Sequence, residues 1–201
     1  MDNKKTSAQL VNQSSGKKNW RTPDTILTPA RIVMGGIDLD PASNEQANQY
    51  VRADTIYTPE IDGLAQRWFG RVWINWPYGP KENKAWIAKL VEEWENQHIE
   101  QVCGICYAGT SEKYFQPIQD YVYCLPNKRI RFIDPDTGKP GAQNTKGSAI
   151  FYRGPNIVSF GLAFAHLGAI CVSHHASKAT HIEFMRFTSA YRTLQTWSIT
   201  L

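Results

Sequence analysis

The residues best equipped for chemistry are Asn75-Trp76-Pro77-Tyr78, which follow a short apolar run from Val72 to Ile74. Pro77 has no N–H to donate to a sheet ladder and biases Trp76 toward an extended backbone, so a strand is expected to end here and a rigid loop to begin. That loop sets an amide side chain, a backbone carbonyl and an aromatic face side by side, a combination that fits a flat base carrying an exocyclic amine. The amino lone pair of adenine is delocalised into its ring, which makes it a poor nucleophile. Two acceptors, the side-chain oxygen of Asn75 and the carbonyl of Trp76, could hold the two amino hydrogens and draw the nitrogen toward tetrahedral geometry. Tyr78 could stack on the base, as aromatic side chains do on a flipped nucleotide. Acceptors fixed in place before charge develops are a common source of catalytic electrostatics.

Asn75-Trp76-Pro77-Tyr78 resembles the (Asp/Asn/Ser)-Pro-Pro-(Tyr/Phe) signature of amino-group methyltransferases that use S-adenosylmethionine. Further segments occur in order: Trp20-Arg-Thr22-Pro23, Ile37-Asp38-Leu-Asp40-Pro41-Ala-Ser43, Asp62-Gly-Leu64 with Trp68 after it, Arg129-Ile-Arg131-Phe132 and Gly147-Ser-Ala-Ile150. Together they resemble the Dam-like DNA N6-adenine methyltransferases of phages and prophages, over about Trp20 to Cys171. The resemblance implies methyl transfer from S-adenosylmethionine to N6 of adenine in DNA, with Asn75, Trp76, Pro77 and Tyr78 as the catalytic loop. It also implies that Trp20, Thr22, Pro23, Asp38, Asp40, Pro41 and Asp62 surround the cofactor. No general base is required, because a methylated amine is acidic enough to lose its proton through the acceptors.

Trp76 departs from the signature, which has proline there. Either its carbonyl is an acceptor and the indole matters only through shape, or the indole fills the base entrance, or it stacks on a base itself. Trp76 also motivates an alternative of another class, a catalytically impaired DNA-binding homologue. A second alternative keeps the chemistry and replaces adenine by the side-chain amide of a protein glutamine.

These residues need elements to position them. Ile37 to Pro41 reads as a short buried strand ending in carboxylates, and ligands of open α/β sheets sit outside the carboxyl ends of strands. Asp40, and after it Asp38, is therefore placed to accept from the ribose or amino group of the cofactor; a turn aspartate is the competing reading. Helices are expected over Asp24 to Met34 with a Gly35-Gly36 stop, Asn44 to Arg52, Lys81 to His98, Ser111 to Asp120 and Ile157 to His166. Gly168 is expected to close the last of these. Ala53 to Thr58 reads as an irregular extended piece. Strands are expected over Gln101 to Ala108, Tyr121 to Leu125 and Ala169 to Ser173, and Arg129 to Ile133 is expected to pair with Ser148 to Tyr152. The alternation predicts an α/β domain: a Rossmann-like S-adenosylmethionine-dependent methyltransferase fold with a mostly parallel sheet and helices on both faces. It divides into a polar arm over residues 1–19, the domain over 20–173 and an extension over 174–201.

The 201 residues carry a formal charge of +4 and a pI near 8.8, compatible with a polyanionic partner without establishing one. The polar insert from Asp134 to Lys146, rich in Pro and Gly, is the candidate DNA-facing loop, with Lys139 and Lys146 as its phosphate contacts. Cys103-Gly-Ile-Cys106 invites a metal reading, but there is no second Cys-x-x-Cys and His174, His175 and His181 are loosely spaced, so no metal is expected. The absence of a bilayer-length apolar run or a secretory core after Met1 implies a cytoplasmic protein of a bacterial or phage-infected cell.

Overall fold

The computed structural model describes residues 20–142, 146–173 and 176–198. The arm expected over Met1 to Asn19 lies outside them, as do His174 and His175. In chain order the elements are α1 (Asp24–Met34), β1 (Leu39–Asp40), α2 (Glu45–Val51), β2 (Thr55–Ile56), β3 (Gly70–Ile74), α3 (Pro80–Glu95) and β4 (Ile99–Tyr107). A 3-10 helix (Lys113–Asp120) follows, then β5 (Val122–Pro126), β6 (Ser148–Arg153), α4 (Ile157–Phe164), β7 (Gly168–Val172) and α5 (Lys178–Ser198).

The strands form one seven-stranded sheet in the order β2-β1-β3-β4-β6-β5-β7. The β2/β1, β1/β3 and β3/β4 ladders are parallel, whereas β4/β6, β6/β5 and β5/β7 are antiparallel. It follows that β1 to β5 all run one way and only β6 and β7 oppose them, a mostly parallel sheet as expected. From β1 the chain steps outward to β2 and returns to β3 on the other side of β1. The carboxyl ends of β1 and β3 therefore flank the switch in strand order, where open α/β sheets form their ligand crevice.

Side-chain alternation divides the core into two layers. Trp73, Cys103, Ile105, Ile150 and Tyr152 face α1 and α4, whose Ile26, Leu27, Val33, Phe160 and Phe164 close that side. Val72, Ile74, Val102, Cys106, Ala149 and Phe151 face the opposite layer, with Trp86, Ile87 and Leu90 of α3 and Phe115 and Ile118 of the 3-10 helix. Helices thus cover both faces. Cys103 and Cys106 fall in opposite layers, so this pair cannot converge on one ion. Gly104 lies between them, and a Cβ there would meet the Phe151 ring at 2.5 Å. Its bare backbone is what lets Phe151 lie across the centre of the sheet.

Four expectations about elements are corrected. Arg129 to Ile133 does not pair with Ser148 to Tyr152: β6 has β4 on one side and β5 on the other, leaving no edge for a further strand. Ile133 instead makes isolated bridges to Arg21 and Pro140. The 111–120 helix is a shorter 3-10 segment, and α4 stops at Phe164, so Gly168 opens β7 rather than closing a helix. Finally, the tail gains a clear element in α5, whose Phe187 packs where a Gly161 side chain would otherwise be, 2.4 Å from its Cβ position. Among the described residues no helix is long and apolar enough to cross a membrane.

Candidate active site

β3 ends at Ile74, and the next four residues leave the sheet as the loop that leads into α3, with Pro80 in the first turn of that helix. Strand alternation sends Asn75 and Trp76 in opposite directions. The Asn75 amide turns toward the segment before α1, where its Nδ2 donates to Thr22 Oγ1 at 3.0 Å. Its Oδ1 accepts from the Tyr78 hydroxyl at 2.7 Å. Both ends of the amide are thereby held by side chains from either side of it. Burial pushes the Tyr78 hydroxyl well above the ordinary phenol range, so it stays a proton donor. The Tyr78 ring stacks on Tyr107 at the end of β4, centroids 4.2 Å apart, and meets the edge of Phe132 at 6.5 Å.

Trp76 goes the other way. Its side chain is 1% exposed in the α3 layer, tilted against Phe151, and its indole N–H donates to Asn83 Oδ1 at 2.8 Å. At 1% exposure the indole has no face free to stack on a base; it anchors the loop to the first turn of α3. The side chain is thus a core element with its own polar partner. Asn83, a buried polar residue on the apolar stripe of Trp86, Ile87 and Leu90, was missed in the sequence. A lone asparagine on such a stripe is the signal that could have found it.

At the end of β1, Asp40 is 4% exposed, and burial raises its carboxyl pKa to about 7. The Ala42 N–H donates to its Oδ1 at 3.1 Å and lowers it somewhat. The neighbouring Ser43 hydroxyl, also buried, exerts a small lowering pull but completes no hydrogen bond of normal geometry. An under-satisfied carboxyl and hydroxyl thus lie side by side at the switch crevice, with capacity for a polar ligand. Asp38 differs: its carboxylate accepts from the Arg71 backbone N–H at 2.7 Å and from Nε at 2.9 Å, and pairs with Nη2 at 2.5 Å. The Arg71 hydrogen bonds hold it below the usual carboxylate range. It fastens β1 to the start of β3.

The Asp62-Gly63 turn is brought to the same place. Asp62 adopts a left-handed backbone, φ 57°, and its carboxylate caps Leu64 N–H at 3.2 Å. A Cβ on Gly63 would lie 1.9 Å from the Pro41 carbonyl, so only glycine allows this approach. Trp68 holds the turn there, donating its indole N–H to the Gly63 carbonyl at 2.8 Å while stacked on Trp86.

The start of the described chain links the insert to the loop. Arg21 and Ile133 exchange backbone hydrogen bonds of 3.0 and 2.8 Å, the Trp20 ring covers Gly141, and Pro23 precedes the first residue of α1. Thr22, 4% exposed, lies between these anchors. Lys139 is exposed on the insert, and Lys146 sits over the Tyr107 ring, 5.3 Å from its centroid. Asn75 is therefore hydrogen-bonded to both Thr22 and Tyr78, and Asp40, Pro41 and the Asp62 turn gather at the adjacent strand end. Asp38 is engaged elsewhere. Tyr107, not singled out in the sequence, forms the wall behind Tyr78.

The sequence family described as DNA N-6-adenine-methyltransferase (Dam) matches residues 10–164. The chain is also 28% identical over 153 residues to the DNA N-6-adenine-methyltransferase of Escherichia phage T1, an alignment covering 66% of this chain and 60% of that relative. The chain thus spans less than two thirds of the length of the relative it matches.

Two outcomes follow from this geometry. A carboxyl with a raised folded-state pKa stays protonated in the folded protein over a range where the unfolded chain has ionised it. The folded state therefore loses stability as pH climbs from about 4 to about 7, by up to about 1.4 kcal/mol per unit. Asp40→Asn should flatten that decline, read as urea midpoints at pH 5 and pH 8; parallel profiles for wild type and variant would show Asp40 ionises freely. Trp76→Pro, which recreates the Pro-Pro signature, should cost about 3–5 kcal/mol of unfolding free energy by emptying the indole site and stranding Asn83. An unchanged denaturation midpoint would remove the indole from the core.

Proposed function

Because this chain belongs to the DNA N-6-adenine-methyltransferase (Dam) family, we propose that it transfers a methyl group from S-adenosylmethionine to N6 of adenine in DNA. The observation that carries the reading is the Asn75 amide, fixed at both ends where β3 stops, beside the switch crevice. Tyr78 uses one of the two acceptor sites on Asn75 Oδ1, which leaves the other for an amino hydrogen of the target base. The Trp76 backbone carbonyl takes the second hydrogen, its direction fixed by the buried indole and the rigid Pro77 bond. With both hydrogens held, the amino nitrogen loses conjugation with the ring and its lone pair becomes available. The proton released on methylation departs through the same acceptors.

The donor set at the crevice fits a nucleoside. The Ser43 hydroxyl is buried without a hydrogen-bond partner and Asp40 beside it accepts from the Ala42 N–H, which leaves capacity for ribose hydroxyls. The Asp62 turn is pinned against Pro41 close by. When bound, S-adenosylmethionine supplies an electrophilic methyl group; the protein's task is to aim the amine. Asp38, committed to Arg71, has no part in this reading, and Thr22, Trp20 and Pro23 act on the loop and the insert. The sheet, with β6 and β7 opposing five co-directional strands, is consistent with a Rossmann-like methyltransferase fold. The target base reaches the loop by leaving the duplex, with the exposed part of the Tyr78–Tyr107 wall to stack on. Lys139 and Lys146 contact phosphates around it. The family match does not favour the glutamine alternative.

Asn75→Ala should lower methyl transfer to unmodified duplex DNA by about a hundred- to a thousand-fold, the usual loss for one preorganised polar contact, and leave cofactor affinity nearly unchanged. Tritiated-methyl incorporation into DNA, with a glutamine peptide as control, checks it; near-normal turnover would remove Asn75 from the mechanism. DNA affinity should fall steeply with salt, and Lys139→Ala with Lys146→Ala should lower the log–log slope by about one for each phosphate that is no longer neutralised. Identical slopes for wild type and double variant would place the insert away from DNA.

A further inference from the structure

An amide has one acceptor end and one donor end, whereas the reaction proposed above needs only the acceptor. If the Asn75 amide turned over, its NH2 would face the target amine and the two donors would repel. Something must fix the orientation. Tyr78 engages only the oxygen end of the amide, to which its hydroxyl donates. Thr22 is the residue on the other side, and its Oγ1 accepts from Nδ2 at 3.0 Å.

We propose that Thr22 is a positioning residue that holds the Asn75 amide with its oxygen toward the target amine. Thr22 is suited to this task by its own fixity. It is 4% exposed, the backbone before it exchanges two hydrogen bonds with Ile133, and the residue after it is the proline that leads into α1. The oxygen end is completed by Tyr78, whose hydroxyl prefers Asn75 Oδ1 at 2.7 Å to the Ile105 carbonyl at 3.3 Å and so donates its single proton to the amide. With Tyr78 donating at Oδ1 and Thr22 accepting at Nδ2, both ends of the amide are engaged in the orientation the reaction needs. The need for the lock is peculiar to asparagine: a carboxylate at position 75 would present an acceptor whichever way it turned. This inference rests on the methyl-transfer reading, because the proposed benefit is to an incoming amine.

The test compares Thr22→Val, which keeps the shape and removes the acceptor, with Thr22→Ser, which keeps the acceptor. Thr22→Val should lower kcat about tenfold, as expected for one hydrogen bond, with the KM values for DNA and S-adenosylmethionine unchanged. Thr22→Ser should restore kcat to near wild type. Introduced beside Asn75→Asp, Thr22→Val should have a much smaller effect on the rate, so the double-mutant cycle shows coupling. A second readout needs no turnover. In 15N–1H spectra the Asn75 side-chain NH2, assigned by its loss in Asn75→Asp, should be protected from exchange in the wild type and lose protection in Thr22→Val. Should the valine variant fail to fold, Thr22→Ala takes its place in both measurements. A raised S-adenosylmethionine KM with unchanged kcat would make Thr22 a cofactor contact and overturn the proposal, as would an Asn75 NH2 indifferent to Thr22→Val. A wild type that methylates no adenine would sink the methyl-transfer reading instead, and the spectra would still decide whether Thr22 holds the amide.

Discussion

The architecture of the crevice depends on β3 stopping after Ile74. Pro77 cannot continue the ladder, and the alternation that buries Val72 and Ile74 carries two residues further to bury Trp76 on the same side. Asn75 is consequently forced to the other side, toward Thr22. One backbone constraint thus produces both the anchor and the functional group. The anchor reaches α3 through Asn83, and the functional group reaches the segment before α1 through Thr22. The loop is held from two layers of the protein, which suits a site whose proposed task is to orient an amine without moving.

The second constraint is electrostatic. Asp40 is kept out of water at the end of a two-residue strand and has only one strong donor, so its carboxyl pKa rises to about 7. Asp38, two residues earlier, is met by the Arg71 guanidinium and shifts the other way. Two neighbouring carboxylates are thereby given different tasks by their surroundings. One fastens the amino end of the sheet; the other stays under-satisfied at the carboxyl end, where in our reading a ribose completes its hydrogen bonding. The burial that destabilises Asp40 without a ligand becomes favourable once donors arrive.

Much of this was legible in the chain. The order of strands and helices, the Gly35 stop and the Asn75 loop are local signals, set by turn residues and apolar periodicity. The direction of the Trp76 indole was legible too, since Val72, Ile74 and Trp76 share one parity, but comparison with a proline-containing signature drew attention to the loop instead. What could not be read was non-local. The claim of Arg129 to Ile133 on a strand partner failed because β4 and β5 had already taken both edges of β6. Likewise, the reach of Thr22 across to Asn75 is a distance in space that no spacing in the sequence encodes. The C-terminal helix carries little amphipathic pattern and is recognised by what Phe187 packs against.

Direct sequencing of modified bases in DNA from cells expressing this protein tests the central claim, that the Asn75 loop delivers a methyl group to the amino nitrogen of adenine. The account predicts N6-methyladenine in a recurring sequence context and its disappearance when Asn75→Ala is expressed at the same level. Unmodified adenine throughout, or methyl groups on cytosine alone, would contradict it.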